Sequence, residues 1–445
     1  MPDTSLTKRI LALAIPSLGA LIAEPLFLLT DTAMVGHLGA EALASLGLAS
    51  TILTTVIGLL IFLAYATTPI VARRLGSGNR PGAISAGIDG LWLALGLGVV
   101  LGILGYAITP LAVSWFGAVS DVSAGAVSYL TISWWGLPGM LLVIAATGLM
   151  RGLQDARTPL WIALAGFASN AVLNAVLIYG LGWGLVGSAV GTVIAQWGMA
   201  AVFVALVTRE ARTHEVSLAP GVLGIQAAAR SGSWLLLRTL SLRLVLIATV
   251  VVATGLGTRE LAAWHIVFTI FGLLALALDA LAIAAQALVG HDLGSGDLST
   301  VRHTTSTLIA WGFFAGGMLA ILMGLLSPLL PFVMTSDQPL REVLVLVLVL
   351  LALTLPLSGF VFVLDGVLIG AGDGKYLALT GILNVAMFAP FLWLASVTYL
   401  EVSGVNLGGL LMLEAAFGVS YIGSRALTLG LRARGERWMV TGESR

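Results

Sequence analysis

The side chains in this sequence that most need a physical reason are ionisable groups set inside long apolar stretches. Glu24, Asp31, Arg238, Arg243, Asp279 and Asp365 are of this kind, with Asp89 and Glu414 placed less deeply. A charge at the centre of a membrane helix costs roughly 2.5–3.5 kcal/mol on insertion scales, so each marks a pairing, a proton relay or an ion pathway. Asp31 is the strongest candidate. Apolar surroundings penalise the charged form of a carboxylate, which lets such a group exchange protons near neutrality. A proton arriving there removes its hold on a cation and favours a different helix packing. Glu24 lies two helical turns earlier, on about the same face. Between them Pro25 removes a backbone hydrogen bond, and a hinge is expected. Arg238 and Arg243 share one stretch, and Asp279 and Asp365 lie in two others. A pair of Arg238 with Asp279 or Asp365 is expected, either as a static brace or as a contact that opens on protonation.

These residues must be held by elements suited to lipid. Of 445 residues, 59% are hydrophobic and only 9% charged, against about 25% charged in soluble domains. Such a chain cannot cover itself in polar surface, so its solvent is a bilayer. A zero net charge gives no sign of a nucleic-acid partner, and the absence of cysteine excludes disulfides, thiolate metal sites and cysteine nucleophiles. Twelve apolar stretches of spanning length are expected at 6–35, 43–72, 84–112, 122–149, 160–179, 185–208, 225–256, 261–290, 300–328, 339–369, 375–396 and 404–430. The first follows Lys8 and Arg9 and is too long for a signal core, so it is read as a spanning helix. Fifteen basic residues, among them Arg73, Arg74, Arg151, Arg157, Arg209, Arg302 and Arg432, fall on one side of this arrangement, and only Arg259 and Arg341 on the other. The basic side is therefore cytoplasmic, with both termini.

The chain repeats itself. Leu38-Gly39 recurs as Leu256-Gly257, Leu75–Gly78 as Leu293–Gly296, and Gly152 with Asp155 as Gly370 with Asp373, each a step of 218 residues. The expected fold is an all-α polytopic membrane protein with twelve transmembrane helices in two parallel six-helix repeats. The N-lobe occupies 1–208, a polar cytoplasmic linker 209–220, the C-lobe 221–430 and a cytoplasmic tail 431–445. Parallel repeats of this kind place substrate near the midplane between halves that rock for alternating access. Asp31 falls opposite Thr249 and Asp365 opposite Thr147, so the acids are not duplicated and the lobes are expected to differ in role.

Pro25 and the run Thr30-Asp31-Thr32-Ala33-Met34-Val35-Gly36-His37-Leu38-Gly39 resemble the first-helix signature of the multidrug and toxic compound extrusion (MATE) family. The run from Arg151 to Pro159 is similar to the loop after that family's fourth helix. Leu237–Leu242, Ala277–Ala280 and Leu364–Ala371 resemble its DinF-like branch. The likeness spans nearly the whole chain in order. It implies a two-lobed bundle that exports amphipathic, often cationic compounds, driven by entry of protons or sodium, with a buried acid in the first helix as coupling site. It also implies a hydrogen-bond network joining that acid to Asn170 and Asn174 in the fifth stretch and Thr192 in the sixth. Some relatives carry Asp where Asn174 stands, and the branch often has Glu where Gln286 stands. Neither Asn174 nor Gln286 titrates, so more of the coupling is expected to fall on Asp31.

Other readings are weaker. Trp134, Trp135, Trp161, Met140, Met150 and Phe268 could line a greasy cavity, but interfacial anchoring and packing explain most such residues. Gly182–Gly187 fits GxGxxG only formally, because no strand precedes it. Walker A, HExxH and GxSxG sequences are absent, so an enzyme is not expected, nor a cofactor or resident metal. The coupling ion is expected to be a proton, with sodium at Asp31 and Asn174 as the alternative. The competing function is a flippase for a lipid-linked precursor, which would want several basic residues in its cavity. The expected partners are a small amphipathic substrate and the lipid of a bacterial inner membrane, the carrier acting as a monomer.

Overall fold

The computed structural model describes residues 4–442, so the first three residues of the expected N-lobe and the last three of the expected tail lie outside the described residues. Among the described residues, twelve helical segments are long and apolar enough to cross a membrane. They are α1 (Ser5–Gly36), α2 (Ala40–Gly76), α3 (Arg80–Ser114), α4 (Ser120–Gly152), α5 (Arg157–Gly180), α6 (Gly184–Thr213), α7 (Val222–Leu256), α8 (Thr258–Ser295), α9 (Leu298–Leu326), α10 (Gln338–Gly370), α11 (Gly374–Val397) and α12 (Leu407–Arg434). Helices prevail because hydrocarbon offers no hydrogen-bond partners, and a helix satisfies its own backbone. At 38 residues, α8 is about 57 Å long. That exceeds the ~30 Å hydrocarbon layer, so its polar end, with Asp292, reaches past the lipid tails. Besides the twelve there is a short helix, Leu330–Met334, and a two-residue hairpin of β1 (Glu401–Val402) and β2 (Val405–Asn406).

Several segments depart from regular helix. α2 is interrupted at Ile61, and α4 tightens into a 3₁₀ turn at Trp134–Gly136. π turns occupy Ala175–Gly180 in α5 and Ala416–Tyr421 in α12. Such turns often mark functional positions. α1, by contrast, runs as one helix through both Pro16 and Pro25, so the expected hinge is not an interruption of the helix.

The repeat is written into the backbone. Positive φ values occur in pairs separated by the same 218 residues: Gly39 (121°) with Gly257 (149°), Gly78 (82°) with Gly296 (83°), and Gln154 (63°) with Gly372 (71°). The turns therefore recur in conformation as well as in sequence. Packing recurs too. A Cβ on Gly148 would lie 2.8 Å from the Ala64 carbonyl oxygen, and one on Gly366 only 2.2 Å from that of Ala282. Gly152 against Thr68 and Gly370 against Gln286 repeat the contact one turn further on. Thus α4 crosses α2 in the first half as α10 crosses α8 in the second, with glycine backbones in direct contact.

The chain packs as two compact units: Ile15–Ser233, and Trp234–Thr441 joined by the chain's start through Ala14. Within the first unit, Asp89 on α3 accepts a 2.7 Å hydrogen bond from the Gly221 amide ahead of α7. Within the second, Arg9 on α1 lies 3.6 Å from Asp292 at the end of α8. The repeated acids Asp155 and Asp373 have diverged. Asp155 caps α5 through the amides of Arg157 and Thr158, both at 3.0 Å. Asp373 instead accepts from Arg432 at 2.7 Å.

Candidate functional site

Three helices of the first unit converge on Asp31. Residues four apart share a helix face. α5 therefore presents Asn170 and Asn174 together, and α6 presents Ser188 and Thr192. The Asn174 side-chain amide donates to Asp31 Oδ1 at 2.7 Å, and the Ser188 hydroxyl donates to the same oxygen at 2.7 Å. Asn174 also donates to Asn170 Oδ1 at 3.1 Å, and Asn170 donates to Thr192 Oγ1 at 3.1 Å. Asp31 is 6% exposed, Asn174 and Ser188 fully enclosed. The Tyr129 ring of α4, also buried, brings its hydroxyl beside Ser188, Thr192 and Ser133.

Close packing keeps this network in place. A Cβ on Gly191 would lie 2.2 Å from Asn174 Oδ1, so only glycine at 191 admits the Asn174 side chain in its observed position. Tyr179, in the π turn that follows Asn174, donates to the Met34 carbonyl at 2.5 Å and ties that turn to α1 one turn beyond Asp31. Asn174 Oδ1 is buried and has no hydrogen-bond partner. The site thus offers one carboxylate, two directed donors and one uncommitted acceptor. It can hold a proton on the carboxylate or an ion among its oxygens. Among the described residues no group of three or more histidines and carboxylates is placed to hold a metal ion.

Glu24 lies outside this network. It is exposed on α1 and has no hydrogen bond to Asp31. Seven residues return it to the same face, but they also separate it by about 10 Å along the axis. Ser188 and Tyr129 were not anticipated. The available signal for Ser188 was its position one turn before Thr192.

In the second unit Asp365 on α10 is paired with Arg238 of α7, the second of the two acids considered for it, and also forms an ion pair with Arg425 of α12, whose Nη2 lies 3.0 Å from Asp365 Oδ1. Arg425 further stacks over the Tyr421 ring, 5.9 Å from its centroid. Arg243 is exposed and stands apart, since five residues turn it away from the Arg238 face. Asp279 is half-buried on α8. Glu414, the residue thought to lie less deeply, is buried in α12 with neither carboxylate oxygen hydrogen-bonded. The aromatic candidates divide. Trp134 is buried and donates to Thr109 Oγ1 at 2.7 Å, and Phe268 packs among Trp264, Phe271 and Phe417, whereas Trp135 and Trp161 are exposed.

The MatE family model matches residues 16–176 and 235–394, one match in each half. The chain is 28% identical to Protein DETOXIFICATION 44, chloroplastic, of Arabidopsis thaliana, over 89% of this chain and 79% of that protein. It is 27% identical to the DNA damage-inducible protein F of Escherichia coli over 92% of each. The fold superposes on the bent form of the Vibrio cholerae MATE transporter VcmN with a TM-score of 0.86, covering 98% of this chain and 99% of the other at 20% identity. Twelve membrane-spanning segments in two like halves, together with a family match in each half, place this chain in the MatE family of multi-pass membrane transporters.

Proposed function

We propose that the protein exports amphipathic, often cationic compounds by alternating access, driven by protons that enter through Asp31. The observation that carries this reading is the Asp31 carboxylate, enclosed in the first unit and held by donors from α5 and α6. Protonation cancels the charge that those donors solvate. It weakens two charge-assisted hydrogen bonds, each worth about 1.5–3 kcal/mol. One elementary charge moving across the membrane contributes about 2.3 kcal/mol per 100 mV, a bias of similar size. Together they suit a carrier whose two packings differ by a few kcal/mol. An export role is further supported by the detoxification name of the plant relative.

In this reading 1–208 and 221–430 act as lobes about a linker at 209–220, and a single copy suffices. The basic loops and both termini face the cytoplasm of a bacterial inner membrane. The alternative coupling ion is sodium, favoured by one observation: the unpartnered Asn174 Oδ1 beside Asp31 could serve as an additional oxygen ligand. Reconstituted protein under separately imposed gradients tests the choice. Proton coupling is expected to move a cationic dye under a pH gradient alone. Transport that requires a sodium gradient and ignores pH overturns it.

A further inference from the structure

The last turns of α12 carry three arginines, and two of them are matched by acids of the second unit. Arg425 pairs with Asp365 and Arg432 with Asp373. Arg434 is exposed and makes no ion pair among the described residues. Leu427, Gly430, Leu431 and Arg434 are spaced by helical turns and share one face. Leu427 and Leu431 are more than half exposed on it. An apolar face ending in a free cation fits a place where hydrocarbon gives way to charged headgroups.

That face forms one wall of a groove of about 390 Å³, whose other walls are Ile309 of α9 and Phe360 and Leu364 of α10. Phe360 is stacked on Phe313, with ring centroids 5.0 Å apart. Gly430 keeps the groove open, since a Cβ there would reach only ordinary contact with Phe360, at 3.5 Å. Arg434 is the only charged residue in the lining. From Ala426 to Arg434 the groove follows α12 for about 12 Å, close to one leaflet's share of the ~30 Å hydrocarbon layer. Beyond the helix end Arg437 also makes no ion pair, while Glu436 is held by Arg302 at the start of α9. The rim therefore has positive charge to spare. We infer that the groove is a binding site for an anionic phospholipid of the surrounding bilayer. One acyl chain lies along Leu427, Gly430 and Leu431, and the phosphate meets Arg434. Basic pockets between membrane helices recognise acidic headgroups in this way. The groove lies wholly within the second unit, so the assignment does not depend on the Asp31 reading.

Native mass spectrometry of the delipidated full chain, titrated with dioleoyl phosphatidylglycerol or dioleoyl phosphatidylcholine, tests the inference. Wild type is expected to retain one phosphatidylglycerol saturably, with a preference over phosphatidylcholine of about fivefold, the advantage of one basic residue near an anionic lipid. Arg434→Gln is expected to lose the preference while still retaining lipid of either kind. Gly430→Leu fills the groove with a good helix former and is expected to lose the retained lipid altogether. Should Gly430→Leu fail to fold, a phosphatidylglycerol carrying a photoreactive group in its chain decides the matter on wild type. Crosslinks to α12 around Leu427 and Leu431, competed by unlabelled phosphatidylglycerol but weakly by phosphatidylcholine, are expected. Equal retention of the two lipids by wild type, a preference that survives in Arg434→Gln, or undiminished retention in folded Gly430→Leu overturns the assignment. So does labelling spread evenly over the lipid-facing helices, the mark of bulk bilayer contact alone.

Discussion

Gly191→Ala separates the geometry of the Asp31 site from its charge. The substitution adds one methyl group, alters no titratable residue and suits a helix. The new Cβ would stand 2.2 Å from Asn174 Oδ1 and 3.3 Å from Asn174 Cγ, while the nearest backbone atom, the Asn174 nitrogen, is an ordinary 3.4 Å away. The clash is thus with the end of a side chain, which must swing away. Doing so breaks the 2.7 Å donation to Asp31 and the 3.1 Å donation to Asn170. A hydrogen bond to a carboxylate is worth about 1.5–3 kcal/mol. Taking about 2 kcal/mol as lost, the equilibrium governed by the site shifts roughly thirtyfold. The assay is pH-gradient-driven dye efflux from proteoliposomes, with melting temperature measured in parallel. A drop in transport of tenfold or more with little change in melting temperature is expected. The control is a double-mutant cycle. In an Asn174→Ala background the clashing atom is gone, and Gly191→Ala should cost less than about 0.5 kcal/mol more. Unchanged transport in Gly191→Ala, or full additivity with Asn174→Ala, refutes the view that Asn174 positions Asp31.

Ser188→Ala removes the other donor to Asp31 Oδ1. A fall in coupled transport of about tenfold, with substrate binding retained, is expected from the loss of about 1.5 kcal/mol. Gly366→Ala forces a Cβ to 2.2 Å from the Ala282 carbonyl oxygen. Overpacking should destabilise the second unit by about 1–3 kcal/mol, whereas Gly423→Ala, in open space on α12, should be neutral or stabilising in the same melting assay. Asp297, capping α9 in the loop after α8, is held down to about 2 by the Ser299 hydroxyl first, with the Thr300 hydroxyl and backbone amides adding to it. A carboxyl lowered on folding contributes stability that is complete above its unfolded value near 3.9 and is lost as pH falls toward about 2. Melting curves of Asp297→Asn should therefore flatten relative to wild type between these limits, and parallel curves would contradict the cap.

Much of the architecture was legible because lipid imposes a coarse, strong pattern. Twelve apolar stretches had to be helices, and glycine turns one repeat apart had to mark a duplication. The glycines at 148, 152, 366 and 370 are legible only afterward, since nothing in a lone glycine says whose backbone it meets. Asp31 stood out because an acid in an apolar helix is expensive. Its partners were less visible. Asn170, Asn174 and Thr192 came from the family resemblance, while Ser188 and Tyr129 are polar residues common in membrane helices and carry no distinguishing cost. Arg425 was overlooked because the last stretch was expected to stop at 430, leaving that residue near a basic cytoplasmic end. α12 runs to Arg434, and Arg425 within it is buried and paired with Asp365. The spacing that put Glu24 on the Asp31 face was sound in rotation, but translation along the axis defeated contact.

The central claim is that the charge state of one enclosed carboxylate couples ion entry to export. Asp31→Asn keeps an oxygen able to accept from Asn174 and Ser188, so folding and substrate binding should survive while titration is abolished. Wild-type and Asp31→Asn proteoliposomes, matched for reconstituted protein and dye affinity, should be compared under an inward pH gradient alone. The account predicts robust dye movement in wild type and background movement in the variant. Gradient-driven transport undiminished in Asp31→Asn would contradict it.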